Sequence, residues 1–319
     1  MLRRARIWLV AVLALTLALM AWPVMAQEAV QFQGDPNTII FTNPLTGQPE
    51  YRWWYGCSPT SGGMLMGYWA GKGYTQLLPG VSDPMVQDAN VNKAIASPEH
   101  INADPVNHPL GTWVGHAPNC IADFMKTEDG GTSAGDIPTG LAAWSTYVGL
   151  GAKTAYHDWV NYFGGTFTYE AFKAEIDAGR PMLLNLETYV SGYDWVGHSV
   201  VGYGYQDNMF QLKIYNGITT VDIWVPGFAV MDTWINGVGP GTQADWYDPN
   251  WNVVYAVQDA QGREWWPFLD MTLTNGWVWT DRWDWQVVDG CFYQPIPVPP
   301  ALWLLGSGLL GLAAWRRWS

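Results

Sequence analysis

The chain has 319 residues, of which 49% are hydrophobic and 13% are charged, and its formal net charge is −13. A protein this acidic repels the polyanionic backbone of nucleic acids, which excludes them as natural partners. The 22 tryptophans favour an extensively buried, folded protein over a disordered one.

The N-terminal segment has the pattern of a secretory signal peptide. Arg3, Arg4 and Arg6 precede an apolar run over residues 7–22, and small residues follow up to Ala26. This order of positive charge, apolar run and small residues predicts export, with cleavage after Ala26.

The next predicted element is a helix that begins at Cys57 and ends near Gly71. Pro59 suits a first helical turn, and Met64 and Tyr68 are apolar at helical spacing. The dipole and the unpaired N–H groups of a helix N-terminus favour a thiolate over a thiol. Cys57 is therefore predicted to be a nucleophile; a buried structural cysteine or half of a disulfide is the alternative.

The segment from Cys57 to Met64 resembles the active-site segment of the bacteriocin-processing cysteine peptidases, family 39 of the papain clan. Their nucleophile lies in a Cys-Gly-Pro-Thr-like run that opens a helix, and here Ser58 stands in place of the usual glycine. Tyr51 occupies the position of their oxyanion-binding glutamine, and the nearest upstream glutamine is Gln48. The resemblance implies an oxyanion donor at Gln48, with Tyr51 or backbone N–H groups as alternatives.

The same resemblance implies a histidine that accepts the thiol proton, and His198 fits this role. It lies in a run of small and β-branched residues, 197–203, that is predicted to be a strand. An amphipathic helix over residues 169–178 and a Gly-x-Pro turn precede it, as in the second half of the peptidase fold. The separation of about 140 residues between Cys57 and His198 is similar to papain-like spacing.

Two residues compete to orient the histidine. Asp232 ends a short apolar strand in an Asp-Thr-Trp sequence that resembles the close of the triad in these families. Asn216 is nearer the usual distance from the histidine, but Asn216 and Gly217 form the dipeptide typical of a hairpin turn. We therefore predict Asp232 as the third residue, and a hairpin that pairs residues 210–215 with residues 221–225.

Three further histidines recur every eight residues in a segment rich in proline and asparagine. This segment, residues 80–118, is predicted to be a loop-rich insertion that contains His100, His108 and His116. None of the three has a cysteine or second histidine at the spacing of a zinc motif. They are predicted to be surface residues of a polar loop, and neither a metal nor a cofactor is predicted.

The chain has three cysteines, and two of them lack a catalytic context. Exported proteins commonly form disulfides, and three cysteines leave one unpaired. We therefore predict a disulfide between Cys120 and Cys291, with Cys57 free.

The C-terminal region combines a tryptophan-rich segment with an apolar tail. Alternating tryptophans over residues 277–285 predict a strand, and residues 301–315 form an uncharged run followed by Arg316 and Arg317. Fifteen residues are fewer than the roughly 20 that span a bilayer. The tail resembles a PEP-CTERM sorting signal, which implies the export machinery and an exosortase of a Gram-negative bacterium as partners.

These features together predict an α+β, papain-like fold in which the nucleophile helix packs on an antiparallel sheet. The predicted parts are a signal peptide (1–26), a peptidase family 39-like domain with a tryptophan-rich β extension (27–294) and a sorting signal (295–319). The resemblance implies an exported cysteine peptidase that acts on peptides or proteins in the periplasm, at the cell surface or in the extracellular matrix. One alternative is a catalytically silent surface or matrix protein that binds exopolysaccharide; another is a peptidoglycan hydrolase or amidase of the same clan.

Overall fold

A computed structural model of the protein describes residues 31–32, 45–103, 116–151, 153–190, 194–215, 220–233, 257–259, 261–269 and 285–296. The predicted signal peptide, Asn216, His108 and the apolar tail lie outside these residues. Within the described ranges, no helix is both long and apolar enough to cross a membrane.

Most helices lie in the first half of the described chain. The predicted nucleophile helix is confirmed and begins at Cys57, and the helix predicted over residues 169–178 is confirmed as well. The helices are α1 (Cys57–Gly71), α2 (Ala89–Ile95), α3 (Pro98–Ala103), α4 (Ile121–Phe124), α5 (Asp136–Tyr147) and α6 (Tyr169–Asp177).

The strands of the described residues form one sheet in which every pairing is antiparallel. They are β1 (Gln31–Phe32), β2 (Lys153–Trp159), β3 (Met182–Val190), β4 (Asp194–Tyr215), β5 (Thr220–Met231), β6 (Val257–Gln258), β7 (Glu264–Pro267) and β8 (Gln286–Pro295). Their order is β2-β8-β3-β4-β5-β7-β6, and β1 pairs with β4. The predicted hairpin is confirmed, with Phe210 opposite Val225 and Ile214 opposite Val221.

The sheet separates two hydrophobic cores because successive side chains of a strand point to opposite faces. Leu183 and Val201 pack in one core with α1, α4 and α5. Their neighbours Leu184 and Val200 pack in the other core with Phe172 of α6. The mixed helix and antiparallel sheet architecture confirms the predicted papain-like fold class.

Helix α1 is buried on all sides, since every residue from 58 to 70 is buried. Its small residues allow close packing: a Cβ on Gly62 would lie 2.7 Å from Met125, and one on Gly63 would lie 2.5 Å from Ile95. The apolar face predicted from the sequence is therefore part of a wholly buried helix.

The segment predicted to be a polar surface loop contains two helices, and that prediction is wrong at His100. The Asp88 side chain accepts hydrogen bonds from the first N–H groups of α2, a helix start that composition alone does not reveal. His100, on α3, is fully buried, and its Nδ1 lies 2.7 Å from Oδ1 of Asp123 on α4. Burial of an imidazole becomes favourable when a carboxylate satisfies its N–H group.

The predicted disulfide is not formed, because Cys57, Cys120 and Cys291 are all free. The Cys120 thiol lies at the start of α4 and donates a hydrogen bond to Oδ2 of Asp123. Cys291 lies within β8, opposite His157 of β2 and Leu183 of β3. Each thiol is thus fixed by its own element and serves as a small core residue.

The strand predicted over residues 277–285 lies outside the described residues except at Trp285, and the residues that follow, 286–295, form a central strand of the sheet. β8 pairs with β2 on one side and with β3 on the other. Residues 286–295 therefore complete the sheet that carries the site, and they are not an appendage to it.

Candidate active site

A constrained loop presents Cys57 at the first turn of α1. Gly56 caps the helix with a φ of 117°, and Tyr55 also has a positive φ of 61°. A side chain at Gly56 would place its Cβ 2.8 Å from the carbonyl oxygen of Gly130. Glycine is required here by both conformation and space, and the turn leaves Cys57 partly exposed.

Two serines of α1 fix this first turn against β4. Ser61 Oγ donates a hydrogen bond to the Ser199 carbonyl oxygen at 2.8 Å, and the hydroxyls of Ser58 and Ser199 also lie 2.8 Å apart. All three serines are buried. Because Ser58 follows Cys57 and Ser199 follows His198, these contacts bring the predicted nucleophile and base together.

The three predicted catalytic side chains meet at this point. Nε2 of His198 lies 2.8 Å from Asp232 Oδ1, and His198 is close enough to Cys57 for each to shift the pKa of the other. Asp232 directly follows β5, whose last residue, Met231, pairs with Val201 of β4. The hairpin register therefore positions the carboxylate next to the imidazole.

The electrostatics favour an ion pair between Cys57 and His198. Burial alone would lower the pKa of His198, but hydrogen bonds with Asp232 and Cys57 outweigh it and raise that pKa to about 9. Burial would likewise raise the pKa of the Cys57 thiol, but hydrogen bonds to His198 and Ser199 lower it below its usual value. The arrangement therefore stabilises a thiolate and an imidazolium at neutral pH.

Residues of the C-terminal strands, which the sequence did not connect with the site, surround the His198 ring. The ring centroids of Trp285 and Trp266 lie 5.4 and 6.4 Å from that of His198. Burial and the negative charge of Asp232 raise the pKa of Glu264 to about 8, so this carboxyl group is mostly neutral at pH 7. Glu264 also accepts a hydrogen bond from Trp266 Nε1 at 2.6 Å.

A chain of polar side chains extends from Ser199 across the sheet. Ser199 donates to Asn185 Oδ1 at 2.7 Å, and Asn185 Nδ2 donates to Asp289 Oδ1 at 2.6 Å. Asp289 Oδ2 lies 2.6 Å from His157 Nδ1. Buried polar groups that satisfy one another hold strands in register, so this chain joins β4, β3, β8 and β2 behind the site. Of these hydrogen-bonded side chains, only Ser199 lies in a sequence pattern that indicated the site, the small and β-branched run over residues 197–203.

The structure excludes one of the predicted oxyanion donors. The Tyr51 hydroxyl donates to the Pro84 carbonyl oxygen, and a Cβ on Gly67 would lie 2.5 Å from that hydroxyl. Gly67 is ten residues beyond Cys57, which is about 15 Å along a helix. Tyr51 is therefore a core residue that points away from the thiol. The role of Gln48 stays a prediction: this residue is buried, and its Nε2 has no hydrogen-bond partner among the described residues.

The ion pair leads to a prediction about thiol reactivity. Iodoacetamide should alkylate Cys57 at pH 7, because the lowered pKa of Cys57 increases the fraction of thiolate at that pH. Cys120 and Cys291 should stay unmodified in the folded protein, since both are buried and burial raises the pKa of each. Peptide mapping by mass spectrometry measures all three thiols in one sample.

A His198→Ala variant is the control for the cause of this reactivity. Loss of the imidazole removes the main group that lowers the pKa of Cys57. If that pKa rises by roughly one unit or more, the thiolate fraction at pH 7 falls, and alkylation should slow at least tenfold. An unchanged rate would show that the helix terminus alone activates the thiol.

Comparison with known proteins agrees with this geometry. The model of the Peptidase_C39 like family matches residues 31–236, which contain Cys57, His198 and Asp232. Searches of curated proteins and of solved structures found no match. The family match covers more than half of the chain and ends before β7 and β8, so the last strands lie beyond the matched region. The chain belongs to the Peptidase_C39 like family.

Proposed function

We propose that this protein is a cysteine peptidase that hydrolyses peptide bonds by a Cys-His-Asp mechanism. The observation that supports the proposal is the position of His198, which interacts with Cys57 while its Nε2 lies 2.8 Å from Asp232 Oδ1. A thiol, an imidazole and a carboxylate in this order are the arrangement that activates a nucleophile.

In the first half of the reaction, the Cys57 thiolate attacks the carbonyl carbon of the scissile bond and forms a C–S bond. Because Nε2 of His198 is held by Asp232, Nδ1 is the nitrogen that exchanges a proton with Cys57. The imidazolium gives this proton to the leaving amine as the C–N bond breaks. Water, deprotonated by His198, then attacks the thioester, which releases the acid and regenerates the thiolate.

The tetrahedral intermediates carry a negative oxygen that requires hydrogen-bond donors. The N–H groups of the first turn of α1 have no intrahelical acceptors, and Cys57 is the first residue of that turn. We take these N–H groups and the Gln48 amide as the donors.

Two exposed tryptophans border the nucleophile and suggest where a substrate binds. Trp53 and Trp54 are 43% and 37% exposed and lie four and three residues before Cys57. The Trp53 N–H donates to the Thr233 carbonyl oxygen at 2.6 Å, so this residue bridges the nucleophile loop and the segment after Asp232. The two indoles provide apolar surface for a substrate side chain at the site.

A catalytically silent exopolysaccharide-binding protein is not favoured by the structure. That alternative relies on exposed tryptophans, of which the described residues include Trp53, Trp54 and Trp224, whereas five others are buried: Trp69, Trp144, Trp265, Trp266 and Trp285. The indoles of these five pack in the interior or against His198, so they serve the fold and the site and are not available to bind a polysaccharide.

We further propose that the protein is exported and processed at its C-terminus. The arginines that precede an apolar run at the start of the chain, and those that follow one at its end, support a signal peptide and a sorting signal. The active-site thiol would then work outside the inner membrane.

The peptidase proposal predicts a loss of turnover in Cys57→Ala, on the order of 10⁵-fold or more, as for other nucleophiles. Digestion of a mixed-sequence peptide library, read by mass spectrometry, measures this loss, and circular dichroism checks the fold. Cys291→Ala, which removes a core thiol, should keep the parent rate. Release of fragments from purified peptidoglycan, with no peptide cleavage, would instead favour the hydrolase or amidase alternative.

The pH profile of kcat/KM should be bell-shaped. The imidazolium is stable below its raised pKa and is lost as the pH rises through about 9, which sets the alkaline limb. The thiolate is lost as the pH falls through the lowered pKa of Cys57, which sets the acid limb. A profile that keeps rising above pH 10 would contradict a functional ion pair.

The oxyanion assignment predicts that Gln48→Ala lowers kcat about 100-fold with little change in KM, as loss of such a donor usually does. Gln87→Ala, which removes an amide that bonds the Arg52 backbone, is the matched control. An unchanged kcat in Gln48→Ala would assign oxyanion stabilisation to the backbone N–H groups alone.

The export proposal predicts the mass of the mature protein from its native host. Cleavage after Ala26 and removal of the tail near Pro299 should shorten both ends, which intact-mass measurement detects. Retention of Arg316 and Arg317 would show that the tail is a permanent part of the protein.

A further inference from the structure

A second cluster of titratable side chains lies apart from the triad. Asp123 Oδ1 lies 2.7 Å from His100 Nδ1 and 2.9 Å from His116 Nε2. One potential ligand atom from each of these residues lies within 4.8 Å of the other two. His100 and Asp123 side chains are at most 1% exposed, and that of His116 is 17% exposed.

The Asp123 carboxylate is held rigidly from one side. Its Oδ2 accepts hydrogen bonds from the N–H groups of Asn119 and Cys120 and from the Cys120 thiol. These donors leave Oδ1 directed at the two histidines. Outer hydrogen bonds that orient a carboxylate in this way are typical of metal ligands.

His116 has an acceptor next to each of its ring nitrogens. Its Nδ1 lies 3.0 Å from the Ala117 carbonyl oxygen, and its Nε2 faces the Asp123 carboxylate. A neutral imidazole has one N–H group, so an uncharged His116 can donate to only one of these two acceptors. If Nδ1–H donates to Ala117, as in many metal-binding histidines, Nε2 presents its lone pair. A cation that accepts electron pairs from both Nε2 and Oδ1 would satisfy these two atoms together.

We propose that His100, His116 and Asp123 bind one divalent transition-metal ion. Two imidazoles and a carboxylate suit zinc, which accepts such ligands at about 2.0–2.2 Å. Ligand atoms around a tetrahedral zinc are about 3.3 Å apart, so the two histidine–carboxylate contacts of 2.7 and 2.9 Å need to open by about half an ångström. The ligand atoms of the two histidines already lie within 4.8 Å of each other. This site is distinct from the Cys57 triad and does not depend on the proposed peptidase activity.

The proposed metal site lies behind the nucleophile loop. The His100 ring packs edge-on against the Tyr55 ring at a centroid distance of 4.8 Å, and Tyr55 is two residues before Cys57. A bound ion would fix the His100 ring and, through Tyr55, brace the strained turn at Gly56. The role we assign to the ion is structural.

Zinc titration of the full-length protein tests the proposal. All variants carry Cys57→Ser, because the thiolate and imidazole of the triad are themselves zinc ligands. Isothermal calorimetry should show one zinc ion per chain in this parent protein and at least a tenfold weaker interaction in His116→Ala. His157→Ala is the matched control, since His157 also pairs with an aspartate but has no second histidine in that pair; it should bind zinc like the parent.

Thermal unfolding provides a second measurement. Zinc should raise the unfolding temperature of the parent and of His157→Ala, because an ion that binds only the folded state stabilises it, and it should not raise that of His116→Ala. If His116→Ala does not fold, His116→Phe keeps a ring beside His100 and removes both nitrogens. No zinc binding by the folded parent, or equal binding by the parent and the His116 variant, would overturn the proposal.

Discussion

The contact between the first turn of α1 and the start of β4 is the constraint on which the site depends. Ser58 and Ser61 bind Ser199 across more than 130 residues of sequence. A packed core places a helix on a sheet only approximately, whereas buried hydroxyl contacts of 2.8 Å fix its register. Cys57 and His198, the neighbours of these serines, are aligned as a result. The serine that replaces the usual glycine after the nucleophile is therefore part of this anchor.

Burial opposes the ion pair that the site needs, and hydrogen bonds reverse its effect. A buried imidazole is normally neutral, but the pKa of His198 is raised to about 9 through Asp232 and Cys57. Relative to an ordinary histidine this favours the imidazolium by roughly 3 kcal/mol. The tryptophans at 5.4 and 6.4 Å limit access of water to the ring, which strengthens these bonds. Trp285 and Trp266 belong to segments beyond residue 236, so the site requires the last strands as well as the matched family region.

The sequence predicts features that depend on residues close together in the chain. It does not predict features that depend on contacts between elements far apart in the sequence. The start of α1, the hairpin of β4 and β5, and α6 follow from local turns, caps and periodicity, and the structure confirms them. The position of β8 between β2 and β3 depends on pairing between residues about 100 or more positions apart, which periodicity does not encode. The burial of His100 likewise depends on Asp123, 23 residues away. The predicted disulfide was based on the number of cysteines. The sequence does not show that Cys120 is held at a helix start and Cys291 within a strand.

The protein contains two groupings of a thiol, an imidazole and a carboxylate, and their order decides what each thiol does. At the triad, His198 lies between Cys57 and Asp232, so the thiol faces a potential cation and its pKa is lowered. At the second grouping, Asp123 lies between Cys120 and His100, so the thiol faces an anion. Burial and that charge raise the pKa of Cys120 to about 12, and it stays a protonated hydrogen-bond donor. The same three functional groups thus yield a nucleophile in one place and an inert thiol that orients a carboxylate in the other.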